Sequence, residues 1–411
     1  MTDMMTPTAS PAAGSVQADG AWEFIIFGTD WDRHPSTIQH LARRLPASHR
    51  VSWVETVGLR SPSLSWHDWR RCWQKLADFA SARRERGKPC HTNLQVLCPV
   101  TLPFTFLDLV RRFNRWSVGR RLRRAGITAR SGAVLVLTCP HQVDYIGMMQ
   151  EACSLYFCMD DYALWPGMNV RQIARMERQM LERVDGVIGV SAELVKSAAE
   201  HGKPSRVISQ GVDLDHFTLP APGKHKAKAE IVYFGLIDSR VDLDLLLKVS
   251  RAFPEAVIRL IGPQISEEHR LQQAENIRIE PAVPYASLPA AVSNADVFIL
   301  PFAVNPLTRS CTPLKLKEYL ATGRPVVSTA NPAVAEWQEH VRMASSHEEF
   351  IAHLQLALQE KTASGALRQQ LQNETWDAKA AQFLAFAKHI RSIKAASSSH
   401  PPQSPAAWRD A

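Results

Sequence analysis

No run of about 18 consecutive apolar residues occurs in the chain, which excludes a membrane-spanning helix. The first 20 residues are rich in Ala, Pro, Ser and Thr. They lack a basic start followed by an apolar stretch, so they do not read as a secretory signal. No Cys-x-x-Cys pair is present, and the seven cysteines (Cys72, Cys90, Cys98, Cys139, Cys153, Cys158 and Cys311) are odd in number. Several sit in apolar runs. They read as small core residues in a reducing compartment rather than as disulfides or zinc ligands, which makes the cytoplasm the expected location. There is no Gly-x-Gly-x-x-Gly to indicate a nicotinamide cofactor, no nucleic-acid recognition motif and no short-period repeat.

What is there describes an ordinary globular chain: 411 residues, 45% apolar and 21% charged. Such a length favours two or three domains. The net charge of +8 is concentrated. Ser61 to Arg124 holds 14 Lys and Arg against four Asp and Glu, a net +10 that leaves −2 for everything else. Two stretches inside it combine helical spacing, aromatics and base. One has Trp66, Trp69, Trp73, Leu76 and Ala80 among Arg70, Arg71, Lys75, Arg83 and Arg84. The other has Leu107, Val110, Phe113 and Trp116 among Arg111, Arg112, Arg115, Arg120, Arg121, Arg123 and Arg124. Helices of this composition settle into a membrane interface and are drawn to anionic lipid. The same tryptophans would equally serve the core of the first domain. Nucleic acid is not expected as a partner.

Short, β-branched strands alternate with helical periodicity, as in helix-covered parallel sheets. Strands are expected at 22–27, 50–56, 133–138, 154–159 and 186–190, with helices at 37–44 and 170–184. The pattern then restarts, with strands at 230–234, 256–261, 277–280, 297–301 and 325–328 and a helix at 243–252. Two series imply two doubly wound α/β domains facing a cleft, with ligands outside the carboxyl ends of the strands. The expected division is a tail at 1–20, a first domain at 21–205, a second at 206–375, a helix crossing back at 376–394 and a tail at 395–411.

The most informative text runs from Asn305 to Ser328. Thr312 can cap a helix, Pro313 suits its first position and Gly323 suits its C-terminal cap. A helix opening just past a strand end offers free N–H groups and a positive dipole end to a diphosphate. Lys315 in the first turn makes sense beside an anion. Glu318, three residues on, lies on the same face and can accept hydrogen bonds from two ribose hydroxyls. Tyr319 and Leu320 face elsewhere, toward the core. A capped surface helix with Lys315 and Glu318 merely solvated fits these residues as well.

This segment resembles the donor-binding motif of the retaining family 4 (group 1) glycosyltransferases. In that motif a Glu-bearing helix is followed by Ala-x-Gly-x-Pro-Val-Val, here Glu318, Ala321, Gly323, Pro325, Val326 and Val327. Ser209-Gln-Gly-Val-Asp-Leu-Asp-His-Phe217 resembles the family's linker, with Gln210 in place of Asn. Val283–Pro289 and Ala295–Pro301 resemble the run before the donor loop, and Trp376-Asp377 the start of the returning helix. The likeness extends over roughly residues 186–390. It is nearest to the exopolysaccharide and teichuronic-acid type, which shares Pro-Leu-Lys-Leu-x-Glu-Tyr-Leu-Ala.

The resemblance implies a GT-B fold, two Rossmann-like domains facing a cleft, and transfer from a nucleotide sugar to a saccharide acceptor that is lipid-linked. It implies no cofactor and no essential metal, since helix N–H groups and basic side chains neutralise the leaving diphosphate. Glu318 would hold ribose, while Lys315, Arg240 and Gly235 would hold diphosphate. Ser310, Cys311, Thr312, Pro313 and Leu314 would wrap the donor. Ser310 stands where the family has a further Glu, which leaves the sugar and its chemistry open; backbone N–H groups of Ser310, Cys311 and Thr312 remain to bind sugar hydroxyls.

Four first-domain groups follow strand ends and are catalytic candidates: His141, which could contact the donor sugar, Asp160 and Asp161, which could bind sugar hydroxyls or act as base for the acceptor hydroxyl, and Asp30, an acceptor-side carboxylate. Gly28 and Thr29 lie where the acceptor meets the donor phosphates, Gly28 letting backbone approach a ligand. Each has a plain alternative as a turn, cap or surface residue. Asp213-x-Asp215 and Asp242-x-Asp244 read as coincidental likenesses to a metal motif. A sugar-nucleotide epimerase on the same fold and a silent nucleotide-binding scaffold of a polysaccharide-assembly complex are the competing readings.

Overall fold

The computed structural model describes residues 21–31, 36–57, 93–127, 132–165, 167–220, 227–263, 268–310, 313–360 and 365–399. The first sheet is built from β1 (Glu23–Gly28), β2 (Arg50–Glu55), β3 (Leu94–Leu97), β4 (Ala133–Leu137), β5 (Cys153–Cys158), β6 (Gly186–Gly189) and β7 (Ser205–Val207). Its order is β3-β2-β1-β4-β5-β6-β7, with every neighbouring pair parallel. The helices α1 (Thr37–Arg44), α2 (Asp108–Arg124), α3 (Val170–Arg183) and α4 (Ala192–Glu200) connect these strands. Phe24, Ile25, Ile26 and Phe27 are all fully buried and divide between two cores, one on each face of the sheet. That is why β1 reads as a continuous apolar run and not as an alternation.

The second sheet runs β10-β9-β8-β11-β12-β13, again all parallel. Its strands are β8 (Glu230–Phe234), β9 (Val257–Ile261), β10 (Ile277–Glu280), β11 (Val297–Leu300), β12 (Val326–Thr329) and β13 (Arg342–Ala344). Between and after them come α5 (Leu243–Ala252), α6 (Leu288–Ala291), α7 (Pro306–Ser310), α8 (Leu314–Ala321), α9 (Pro332–Ala335), α10 (His347–Ala357) and α11 (Gly365–Gln372). In each sheet the strand order reverses once, between β1 and β4 and between β8 and β11. Crevices at such reversals, at the carboxyl ends, are where ligands bind in this architecture.

The chain crosses between the sheets twice, and the crossings lie together. Val212 pairs with Thr375 in parallel fashion, Val212 N–H donates to Glu374 O (2.9 Å) and Trp376 N–H donates to Val212 O (3.2 Å). The returning helix α12 (Trp376–Ser399) then lays Phe383, Phe386, Ala387 and Ile390 into the first domain's core. It continues five residues past the expected end at 394, through part of the stretch read as a tail. The buried Lys317 of α8 reaches back to these crossings, donating to Ser209 Oγ (2.9 Å) and Gln210 O (2.6 Å) and pairing with Glu374, which also takes Lys379 (2.8 Å). Burial pushes the Lys317 amine down to about 8, with Glu374 opposing that shift. The back of α8 is thereby tied to both crossings.

Candidate active site

Helix α8 opens at the carboxyl end of the second sheet, where β8 and β11 diverge. Pro313, expected inside the first turn, is the N-cap itself, with extended backbone (φ −67, ψ 111). It supplies no side-chain acceptor, so the first-turn N–H groups of α8 receive no cap from it. Thr312, expected as the cap, and Cys311 lie outside the described residues, and Ser310 ends α7. Gly323 sits past the helix end at φ +72, as expected of a C-terminal cap. Tyr319 and Leu320 are buried, Tyr319 Oη bridging the backbone N–H and C=O of Phe234 at 3.0 Å each.

Lys315 is partly exposed, yet its ammonium is enclosed. It donates to Tyr233 Oη (2.7 Å), lies over the Tyr233 ring (4.3 Å) and faces Phe302 (5.5 Å). A Cβ on Gly235 would stand 2.2 Å from Lys315 Nζ, so a side chain there would push the amine aside. Burial, reinforced by the like charge of Arg240, pushes this amine down to about 7. Glu318 is buried one turn on, and burial pushes its carboxyl up to about 8 against the pull of Lys315 and Tyr285. Burial thus brings this acid and this amine, one turn apart on the same helix, both close to neutrality.

Arg240, in the loop after β8, is held by Asp238 through two guanidinium nitrogens (Nε 3.0 Å, Nη2 2.8 Å). It also lies 5.8 Å from the Trp165 ring. That contact joins the halves of the molecule, because Trp165 follows the turn at Asp160–Leu164 on the first domain. Lys315, Glu318, Gly235 and Arg240 therefore converge, and Trp165 of the first domain faces Arg240. Trp165, Tyr233 and Tyr285 were not foreseen. Tyr285 belongs to the stretch Val283–Pro289 that resembles the run before the donor loop, a likeness that gives its side chain no role.

The acceptor-side candidates divide. Asp161 caps the turn that begins at Tyr162, accepting from Ala163 N–H (3.1 Å). Asp160 lies beside it at the end of β5, partly exposed. His141 sits in the turn after β4 and is buried. Burial pushes it down to about 4, so it is a neutral imidazole at physiological pH. It therefore does not reach the cleft surface as expected. Its charged neighbour Asp144 is taken by a two-pronged bond from Arg111 (2.7 and 2.6 Å).

Gly28 requires a correction. A Cβ there would lie 2.1 Å from the Trp53 ring, whose Nε1–H donates to Thr29 O (3.0 Å). The glycine makes room for a core indole, not for a ligand. Thr29 is exposed, and Asp30, partly exposed, gives its backbone carbonyl to Gln39 (3.2 Å).

Both Asp-x-Asp pairs serve structure. Asp213 faces Arg44 (3.7 Å), Asp215 faces Arg368 (3.2 Å), Asp242 caps α5 and holds His347 (2.9 Å), and Asp244 pairs with Arg270. Cys98, Cys139, Cys153 and Cys158 are free thiols, the last three buried.

Comparison with known proteins agrees with this geometry. Residues 228–360 match the family described as glycosyl transferases, group 1. A protein described as a teichuronic acid biosynthesis glycosyltransferase, TuaH of Bacillus subtilis strain 168, is 25% identical over 182 residues, 41% of this chain and 46% of that one. The alignment thus spans less than half of that relative. Three solved structures share the whole architecture. Sucrose-phosphate synthase of Thermosynechococcus elongatus superposes with TM-score 0.67 at 14% identity, covering 90% of this chain and all of that one. Trehalose 6-phosphate synthase of Burkholderia multivorans gives 0.60 at 12%, covering 92% of this chain and all of that one. HepE of Anabaena in complex with UDP gives 0.55 at 10%, covering 92% and 99%. The chain thus has the GT-B fold, and its residues 228–360 carry the match to the group 1 glycosyl transferases.

Proposed function

We propose that the protein transfers a sugar from a nucleotide sugar to a lipid-linked saccharide in cell-surface polysaccharide synthesis. The observation that carries this reading is the convergence of Lys315, Glu318, Arg240 and Gly235 at the start of α8, whose N-cap Pro313 offers no side-chain acceptor. Glu318 accepts from the ribose hydroxyls, and Lys315 and Arg240 take the diphosphate. The bond from the anomeric carbon to the diphosphate breaks through an oxocarbenium-like state, and the electron pair leaves with the diphosphate. The acceptor hydroxyl forms the new bond and gives its proton to the departing diphosphate oxygen on the same face. Retention rests on the family likeness of the donor motif; no side chain here acts as a nucleophile. Asp160, at the cleft end of β5, is the acceptor-side carboxylate best placed to bind sugar hydroxyls.

The test is turnover of radiolabelled nucleotide sugars by purified protein with a lipid extract. Label moving into the lipid phase supports transfer. Conversion of the sugar without an acceptor points to an epimerase, and nucleotide binding with no turnover points to a scaffold.

The lipid-linked acceptor is supported by α2. Its inner side buries Asn114, Ser117, Val118 and Leu122, while Leu107, Leu109, Phe113 and Trp116 face solvent. Leu109 is 80% exposed and Trp116 54%. Arg112, Arg115, Arg120, Arg123 and Arg124 are exposed around them, with Arg120 over the Trp116 ring (5.6 Å). An exposed apolar stripe edged by base fits an anionic bilayer surface, each basic residue adding about 1 kcal/mol there. The companion segment from Trp66 to Arg84 lies outside the described residues. Among the described residues no helix is long and apolar enough to cross a membrane. Replacing Leu109, Phe113 and Trp116 by Ser is expected to weaken binding to anionic vesicles at least about ten-fold (roughly 1.4 kcal/mol) with circular dichroism unchanged. Undiminished sedimentation with vesicles would remove α2 from the interface.

A further inference from the structure

Tyr285 opens a short turn ahead of α6 and is fixed from behind. Its ring stacks on His216 (4.6 Å, 20° between planes) and meets the edge of Phe217 (5.7 Å), while His216 Nε2 bonds Tyr285 O (2.9 Å). His40 of α1 approaches the same ring at 6.1 Å. The phenol is therefore oriented by the connector between the domains and by the first domain, not by α8. Its hydroxyl is buried and faces the Glu318 carboxyl within hydrogen-bonding reach. A rigidly held, buried donor facing a buried acid is matched to the ionised form of that acid.

We propose that Tyr285 is a positioning residue of the donor site, its hydroxyl donating to the Glu318 carboxylate and turning it toward the two ribose hydroxyls of the nucleotide. This rests on the donor-site reading above. Ionised Glu318 carries several lone pairs, so one donor from Tyr285 leaves acceptor capacity for the diol. Glu318 is faced by Lys315 from its own helix and by Tyr285; Tyr285 in turn is faced by Asp213, Arg44, His216 and His40. Tyr285 thus couples the ribose carboxylate to the crossing between domains.

The experiment is calorimetric titration with UDP, with GDP and ADP in parallel, on wild type, Tyr285→Phe, Glu318→Gln and the double variant across pH. Phenylalanine keeps both ring contacts, so the fold and thermal midpoint are expected to hold. Tyr285→Phe is expected to weaken nucleotide binding about ten-fold. It also moves the acidic limb of the affinity profile to higher pH, because the carboxylate loses a donor. The double variant binds no more weakly than Glu318→Gln, since Tyr285 acts through Glu318. Unaltered affinity and an unmoved limb in Tyr285→Phe, with Glu318→Gln impaired, would overturn the role of Tyr285 and leave the donor site standing. Full affinity in Glu318→Gln would instead remove the donor-site reading itself.

Discussion

Replacing Lys315 by alanine is expected to lower kcat/KM for sugar transfer by about 100-fold or more (roughly 2.7 kcal/mol), the scale for losing one preorganised charge at a departing oxygen. The ammonium is set by Tyr233 Oη, the two aromatic rings and the bare backbone of Gly235. Arginine should not rescue it, because the planar fork does not fit where a single Cβ on Gly235 would already crowd the amine. The pH profile of donor affinity carries the same argument. Before donor binding Glu318 loses its proton at about 8 and Lys315 at about 7. The bound donor requires carboxylate and ammonium. Below about pH 7 binding must expel the proton of Glu318, so affinity rises with pH. Between about 7 and 8 release by Glu318 and uptake by Lys315 cancel, giving a plateau. Above about 8 only uptake remains and affinity falls. Glu318→Gln should abolish the rising limb and Lys315→Ala the falling one. A profile unaltered by either substitution contradicts the assignment.

The Gly262→Ala variant is expected to lose about 3 kcal/mol or more of stability, a fall of roughly 6–12 °C in the second domain's unfolding midpoint. Gly262 ends β9 at φ +153, and its Cβ would stand 2.0 Å from the carbonyl oxygen of Gly235, itself at φ +131. Both partners are backbone, so no rotamer relieves the clash. The two loops are also knit together: Gly235 N–H donates to Ile261 O (2.8 Å) and Ile237 N–H to Pro263 O (2.9 Å), while Gly262 N–H is held by Glu280 O of β10 (3.0 Å). Separating them displaces the floor under Lys315, so donor binding should fail with stability. Gly147→Ala is the control. It combines φ +80 with open space, so it carries the dihedral cost alone, about 1 kcal/mol. Equal losses in both variants would deny the tight packing of the two loops.

Much of this was legible locally. β8, β10, α1 and α5 occupy the expected residues because an apolar run or a helical stripe is a property of neighbours in sequence. The edge strands β3 and β13 were not foreseen. Leu-Gln-Val-Leu is short and mixed, and Arg-Met-Ala is a strand only because β12 offers it hydrogen bonds. Gly28 shows a different limit. A glycine after a strand reads the same whether a ligand or the Trp53 indole fills its missing side chain. In α2 the spacing of Leu107, Val110, Phe113 and Trp116 was visible, but not that Val118 and Leu122 form a second, inward stripe. The site partners farthest from reach were Trp165 with Arg240 and Tyr285 with Glu318. Each pair comes from remote segments that only the folded chain brings together, whereas Lys315 and Glu318 share one helix turn.

The most direct test of a donor nucleotide on the second domain is calorimetric titration of the wild-type protein and a Lys315→Ala, Glu318→Ala double variant with UDP, GDP and ADP. The structure predicts saturable one-to-one binding of at least one of them and a loss of at least about 100-fold in the double variant. Absence of binding by all three, or full affinity in the double variant, would contradict it.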